Sequence, residues 1–299
     1  MTDVEWIAID WGTSNLRVWG MNANGRAVRE ATSTNGMNLL ARDQFEDALM
    51  ALVSTWLNGP TIAIACGMVG ARQGWMEAPY STVPCEPLGE GIVKVPTQDA
   101  RLQMHILSGI KQTSPADVMR GEETQIAGFL ALNKDWDGVI CLPGTHTKWV
   151  HVSAGEVVSF QTLMTGELFG LISEQSVLAH SVTSEGWSDA AFEEGLSTAM
   201  SRPEALAARL FNIRASQLLE DTAQDTGRAR LSGLLIGAEL AATKPYWLGQ
   251  NVAIVGSAPL ASHYTTALRG QGVPVTETDP VAMTVAGLTA GYKKLKGIT

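Results

Sequence analysis

The apolar and polar positions of the chain fall into two similar runs. Residues 4–10 form an apolar strand ending at Asp10, and 16–21 with 26–32 can pair beside it as a meander. Phe45, Ala48, Leu49, Leu52, Val53 and Trp56 then recur at helical spacing, one buried stripe. A short buried strand follows at 61–67. Residues 68–100, rich in Gly and Pro, read as a long irregular excursion of the kind that carries function or extra structure. "RLQMHILSG" (101–109) is another strand, and a helix opens near Gly121. The pattern then restarts. Strands are expected at 138–142, 147–152 and 156–163, and helices at 166–179, 188–200, 203–223 and 228–242. A strand within 251–260 runs into a Gly-Ser turn and a helix, "VPVTE" (273–277) is a last strand, and a final helix has Asp279 as N-cap and Pro280 as its first residue. Each half thus reads β-β-β, then α, β, α. The duplication is visible in pattern and barely in letters, with no short-period repeat and no low-complexity linker.

Composition narrows the class. With 45% hydrophobic and 17% charged residues among 299, the chain is globular and long enough for two lobes. A net charge of −9 argues against a nucleic-acid backbone as partner, though a nucleotide held by backbone N–H groups remains open. Three cysteines, Cys66, Cys85 and Cys141, show no paired spacing and suit free, mostly buried thiols in a reducing cytoplasm. Asp3 and Glu5 with no basic-then-apolar leader predict no signal peptide, and no run of 18 apolar residues predicts a membrane span. Apolar patches left exposed in the 68–100 excursion would serve a homodimer.

Two strand–turn–strand stretches carry the chemistry. In "DWGTSNLRVW" Asp10 ends a strand, Gly12 lets the backbone approach a ligand, and Thr13 and Ser14 offer hydroxyl and amide donors. Such a turn can cradle phosphate oxygens, and an adjacent acid can hold a metal ion directly or through water. An ordinary hairpin with a polar tip explains it equally well in isolation. "LPGTHTKWV" (142–150) repeats the layout with Pro143, Gly144, Thr145, His146, Thr147 and Lys148, but has Leu142 where the first has Asp10. Two phosphate grips opening two similar halves are more specific than one.

With this pairing the chain resembles the actin–hexokinase–Hsp70 ATPase superfamily. Within it, "IDWGTSNLRVW", "GMVGARQGW", "DVMRGEETQIAG", "LPGTHTKWV" and "TGELF" are similar to the 2-keto-3-deoxygalactonokinase family. The resemblance covers nearly the whole chain. It implies an α/β fold of two ribonuclease-H-like domains, each a mixed β-sheet with helices on its faces and a cleft between them. Their expected spans are 1–133, for sugar acid and phosphate, and 134–299, for ATP, with the last helix (280–296) packing back across the junction. It implies transfer of the ATP γ-phosphate, with Mg²⁺, to the 6-hydroxyl of 2-dehydro-3-deoxy-D-galactonate in galactonate breakdown. Related exopolyphosphatases carry paired Glu in a comparable stretch, so a phosphohydrolase with water as nucleophile is the alternative. A non-catalytic protein on the same fold is a third reading.

Within that frame each motif has a functional and a structural reading. A sugar hydroxyl needs a carboxylate to take its proton, and Glu122 and Glu123 stand at a helix N-terminus that favours ionised acids or is merely stabilised by them. Many superfamily sugar kinases have Asp there. Arg17 joins the phosphate set on the first hairpin. Arg72, set among Gly70 and other glycines, suits a planar carboxylate or a structural ion pair, and Trp75 the apolar face of the substrate. Asn35 and Gly36 are expected at substrate hydroxyls, with Asn38 as a turn builder or further contact. Glu167 binds sugar hydroxyls or caps its helix. Gly233 and Gly237, four apart on one helix, permit close approach of a flat base or of another helix. Gly256 and Ser257, at a strand-to-helix turn, are expected to meet ATP through backbone N–H groups. His146 and His151, five apart, do not form a metal pair, and His146 reads as a loop donor near phosphate.

Overall fold

The structure, a computed structural model, describes residues 4–182, 186–220 and 224–298. The chain runs β1 (Trp6–Trp11), β2 (Leu16–Met21), β3 (Ala27–Ser33), α1 (Phe45–Val53), β4 (Thr61–Gly67), β5 (Tyr80–Thr82), β6 (Val93–Lys94), β7 (Leu102–Ile106), β8 (Gly109–Thr113), β9 (Ala116–Met119) and α2 (Glu122–Leu132). It continues β10 (Gly138–Leu142), β11 (Thr147–Ser153), β12 (Glu156–Leu163), α3 (Thr165–Gln175), α4 (Ala179–Val182), α5 (Asp189–Ser201), α6 (Leu206–Glu220), α7 (Gln224–Ala242), α8 (Lys244–Trp247), β13 (Val252–Val255), α9 (Ala258–Arg269), β14 (Val275–Thr278) and α10 (Pro280–Lys296). Two compact units emerge. The first comprises the described residues of Met1–Asp137, Val152–Ser159 and Pro280–Thr299, the second Gly138–His151 and Phe160–Asp279.

The first unit is built on a six-stranded sheet of order β3-β2-β1-β4-β7-β6. β1 pairs antiparallel with β2, which sets Asp10 opposite Arg17, and parallel with β4, which sets Trp11 beside Gly67. Strand alternation divides the side chains of β1 between two cores. Ile7, Ile9 and Trp11 pack with Phe45, Leu49 and Val53 of α1. Trp6 and Ala8 pack with Ala127 of α2 and Leu288 of α10, and Trp6 stacks on Tyr292 at 4.5 Å between ring centroids. α2 and α10 meet closely, since a Cβ on Gly128 would lie 1.9 Å from the Met283 carbonyl oxygen and one on Gly287 1.8 Å from that of Thr124. The last helix therefore belongs to the first unit. So does 152–159, tied by a bridge from Val157 to Cys85, which the sequence boundary at 133/134 had put in the second half.

A five-stranded sheet of order β12-β11-β10-β13-β14, in which β10, β13 and β14 run parallel, has most of its residues in the second unit. Counted within each sheet, the first four strands of both share one spatial order, third-second-first-fourth. The second unit's core joins Val139, Cys141, Val252 and Ile254 to Ile236, Leu240, Tyr264 and Leu268 from α7 and α9.

Several expectations change. The excursion at 68–100 holds two short strands, and β8 and β9, unforeseen, form a three-stranded sheet with β5. The helix expected over 166–179 stops at Gln175 and resumes as α4. That over 203–223 is α6 after a single turn at Pro203–Ala205, and its last three residues lie outside the described residues. The large apolar side chains exposed among the described residues include Val177, Phe211 and Leu218 and none from 68–100, which removes the stated basis for a homodimer there. No described helix is long and apolar enough to cross a membrane.

Candidate active site

The first turn closes where the Gly12 N–H donates to the Asn15 carbonyl at 2.9 Å, leaving Thr13, Ser14 and Asn15 exposed at its tip. The segment after β3 braces it from behind. Met37 and Asn38 donate backbone N–H groups to the carbonyls of Gly12 and Thr13 at 3.0 and 3.1 Å, and the Trp11 indole donates to the Asn35 carbonyl at 2.9 Å. A Cβ on Gly36 would fall 2.3 Å from the Ser14 backbone. Gly36 is thus a packing residue, not the expected substrate contact, while the Asn35 side chain is exposed. A cavity of about 720 Å³ opens here, lined by Asp10, Gly12–Arg17 and the hydroxyl-bearing Thr32, Ser33 and Thr34. The last three escaped the sequence reading because they close an exposed edge strand.

Asp10 forms an ion pair with Arg17, and the Cys66 thiol lies 3.9 Å from its other oxygen. Among the described residues no group of three His, Cys, Asp or Glu could cage a metal. A lone carboxylate beside a phosphate-sized turn still fits Mg²⁺, which keeps several waters and takes one or two protein carboxylates plus phosphate oxygens.

β1, β4 and the start of α2 converge beside Asp10. Gly67 and Gly121 have φ of +92° and +112°, a region open to Gly. A Cβ on Gly67 would lie 2.7 Å from the Trp11 carbonyl oxygen and one on Gly121 3.3 Å from the Gly67 Cα. The two glutamates that follow differ sharply. Glu122 is half-buried and its Oε2 accepts the Arg120 N–H at 3.1 Å. Glu123 is fully buried, accepting the Gly121 N–H at 2.6 Å and the Thr124 hydroxyl at 3.2 Å. Burial, reinforced by the Glu122 charge, pushes its pKa up to about 8. Burial also raises the Cys66 thiol well above its ordinary value, with Asp10 and Glu123 adding to the effect. Glu123 is therefore a buried acid, not the second accessible catalytic candidate the sequence offered.

The excursion after β4 corrects two more expectations. Trp75 is buried in the core, 6.2 Å from Trp11 and Phe45 between centroids, so it cannot cover a substrate. Gly70 is buried where a Cβ would press on the Arg120 guanidinium at 2.8 Å. Arg72 is 82% exposed, with a 3.8 Å contact to Glu77 as its ion pair.

In the second unit Gly144, Thr145 and His146 form the turn, packed between the starts of two helices. A Cβ on Gly166 would lie 2.3 Å from the Gly144 carbonyl oxygen, and the Glu167 N–H donates to the Thr145 carbonyl at 2.9 Å. On the other side Gly256 abuts Pro143, with the exposed Ser257 preceding α9. Glu167 pairs with the His146 ring, so it serves this turn. Thr147 is fully buried with its hydroxyl 3.1 Å from that of Tyr264, and Lys148 is 5% exposed inside β11; neither stands at the turn's tip as expected.

Beside this turn is a largely apolar cavity of about 390 Å³, walled by Phe169, Leu235, Ile236, Leu260 and Tyr264, with Ser232 and Arg228 on α7. Trp187 and His263 stack on each other at 4.1 Å, and Arg228 lies over the Phe169 ring at 5.0 Å. Burial lowers the His263 pKa against an opposing pull from Asp189. Gly233 and Gly237 face the other way. A Cβ on either would strike the Phe192 or Leu196 carbonyl oxygen at 2.1 and 2.5 Å, so they seat α5 and do not receive a base. Of the flat base and the other helix that the spacing left open, the structure gives the helix. Trp187, Arg228 and His263 carried no local signal, being brought together from distant elements.

The 2-keto-3-deoxy-galactonokinase family model matches residues 10–290. A Rhizobium meliloti protein named "Probable 2-dehydro-3-deoxygalactonokinase DgoK1" is 38% identical, covering 96% of each chain. An Escherichia coli 2-dehydro-3-deoxygalactonokinase is 33% identical over 98% of this chain and 97% of its own. A crystal structure of a Sinorhizobium meliloti protein named for the same kinase superposes with a TM-score of 0.89 at 36% identity, covering 98% of both chains. The chain belongs to the 2-keto-3-deoxy-galactonokinase family.

Proposed function

We propose that this protein is an ATP-dependent kinase that phosphorylates the 6-hydroxyl of 2-dehydro-3-deoxy-D-galactonate, in a cytoplasmic setting that its three free thiols suit. The observation that carries the reading is the exposed first turn with its cavity and Asp10, beside which the glycine contacts of Gly67 and Gly121 bring β4 and the start of α2, where Glu122 stands. Phosphoryl transfer is mostly positioning and charge stabilisation, and that set supplies both. Mg²⁺ bound with ATP would offset charge on the phosphates, with Asp10 holding it directly or through water.

The chain's own groups do the rest. Backbone N–H groups and hydroxyls at Thr13 and Ser14, with Arg17, hold phosphate oxygens at the first turn, where Gly12 lets them come close to the backbone. Gly144, Thr145 and His146 supply donors from the second. Glu122 takes the proton of the attacking hydroxyl. Arg72, exposed and weakly paired, anchors the keto-acid carboxylate, and Thr32–Thr34 with Asn35 meet hydroxyls. The apolar cavity beside Gly144 receives adenine, with Trp187 and His263 as its flat wall. The actin-like ATPase assignment of the two units belongs to the same reading. Asp10→Ala tests it: turnover is expected to vanish with ADP binding retained, and a near-wild-type kcat removes Asp10 from its role.

A further inference from the structure

Glu239 has no part in the chemistry above, yet it holds a hydrogen-bonded hub beneath the second turn. It lies within α7, 2% exposed. Its Oε1 accepts the Trp149 indole N–H at 2.8 Å. Its Oε2 accepts two hydroxyls, that of Thr165 and that of Tyr264, the latter at 2.9 Å. With its proton committed to Glu239, the Tyr264 oxygen is left to accept the Thr147 hydroxyl at 3.1 Å. Burial raises the Glu239 pKa, with the hydroxyl and indole donors opposing. An apolar side chain would fill such a space at lower cost, so the carboxylate calls for a reason.

The places of its partners supply one. Thr147 is the first residue of β11 after the second turn. Thr165 begins α3, and the next two residues hold that turn from behind, Gly166 against the Gly144 carbonyl and Glu167 through its N–H to Thr145. Tyr264, on α9, and Thr165 both line the apolar cavity. We propose that Glu239 is a positioning residue for the nucleotide, fixing the stem of the second turn, the start of α3 and α9 at one spacing so that the Gly144–Thr145 backbone and the cavity wall meet ATP together. The inference rests on the reading of that cavity as the ATP site.

Glutamine is the discriminating replacement because it keeps the shape and fails the chemistry. If its amide nitrogen takes the Oε2 place, both hydroxyls must turn round to accept. If it takes the Oε1 place, it opposes the Trp149 indole, which only donates. The experiment compares Glu239→Gln with the wild type in ADP affinity by calorimetry, in KM for ATP and for the sugar acid, and in Tm. Loss of ADP affinity by roughly tenfold and a parallel rise in KM for ATP are expected, with KM for the sugar acid unchanged. Thr147→Val, which cuts the far end of the chain away from the cavity, should move the same two constants less. Leu102→Ala, a buried core change on β7 away from this hub, should lower Tm and leave KM for ATP alone. Wild-type ADP affinity in Glu239→Gln overturns the proposal, as does an equal loss in Leu102→Ala. If Glu239→Gln does not fold, wild-type KM for ATP in Thr147→Val overturns it instead. Absence of ADP binding by the wild-type protein is a separate result, which sinks the ATP reading before any variant is made.

Discussion

Glu122 and Glu123 are adjacent in sequence and sit in opposite environments, one half-buried, the other sealed within the first unit. Replacing Glu122 by Gln should lower kcat by about 10²–10⁴-fold, the usual worth of a positioned base, with little change in KM for ATP. Glu123→Gln should keep most of kcat, and a loss equal to that of Glu122→Gln in single-turnover assays would contradict the assignment. Its signature lies in stability. Unfolded, Glu123 titrates near 4.5; folded, near 8. Between those values the native state holds a proton that the unfolded state releases, so this group lowers stability as pH rises through that window, by about 1.4 kcal/mol per pH unit. Gln has no such ionisation. Glu123→Gln should therefore gain on the wild type from pH 5 to 8 in urea midpoints, and parallel profiles would show that Glu123 is not the buried acid described. The sequence presented both acids at a helix start but held nothing to separate them, because burial depends on Cys66, Gly67 and the strands beside them.

At the scale of elements, glycines were legible and their purposes were not. The four-residue spacing of Gly233 and Gly237 announced a close approach, but the partner is α5, whose own Gly195 would place a Cβ 2.6 Å from the Arg230 carbonyl oxygen. Gly233→Ala forces that seam apart and should cost ~1–3 kcal/mol, read as a lower Tm; an unchanged Tm would contradict the packing. The strands β1, β2, β4, β10 and β11 were plain from alternation and short apolar runs. β8 and β9 were not, since "GIKQT" and "ADVM" are short and mixed and gain their order from pairing with each other and with β5. The two turns were found because their hydroxyls are surplus to a hairpin's needs. Thr147 was misread because its hydroxyl turns inward and is committed to Tyr264.

At the scale of the whole molecule, the repeated β-β-β pattern foretold two similar halves, and the structure adds that the chain's last helix completes the first unit. α10 covers Trp6 and packs its glycine face on α2. Removing residues 280–299 should expose that core and abolish soluble folding; a truncated protein with native circular dichroism and one sharp melting transition would contradict this. Family membership sets the reaction class, and the central claim is the transfer itself. The most direct test incubates the purified protein with Mg²⁺, ATP and 2-dehydro-3-deoxygalactonate and follows products by ³¹P NMR. ADP and a sugar-acid 6-phosphoester should appear in equal amounts, with no phosphate released when the sugar acid is left out. ADP with free phosphate, or no ADP at all, would contradict the account.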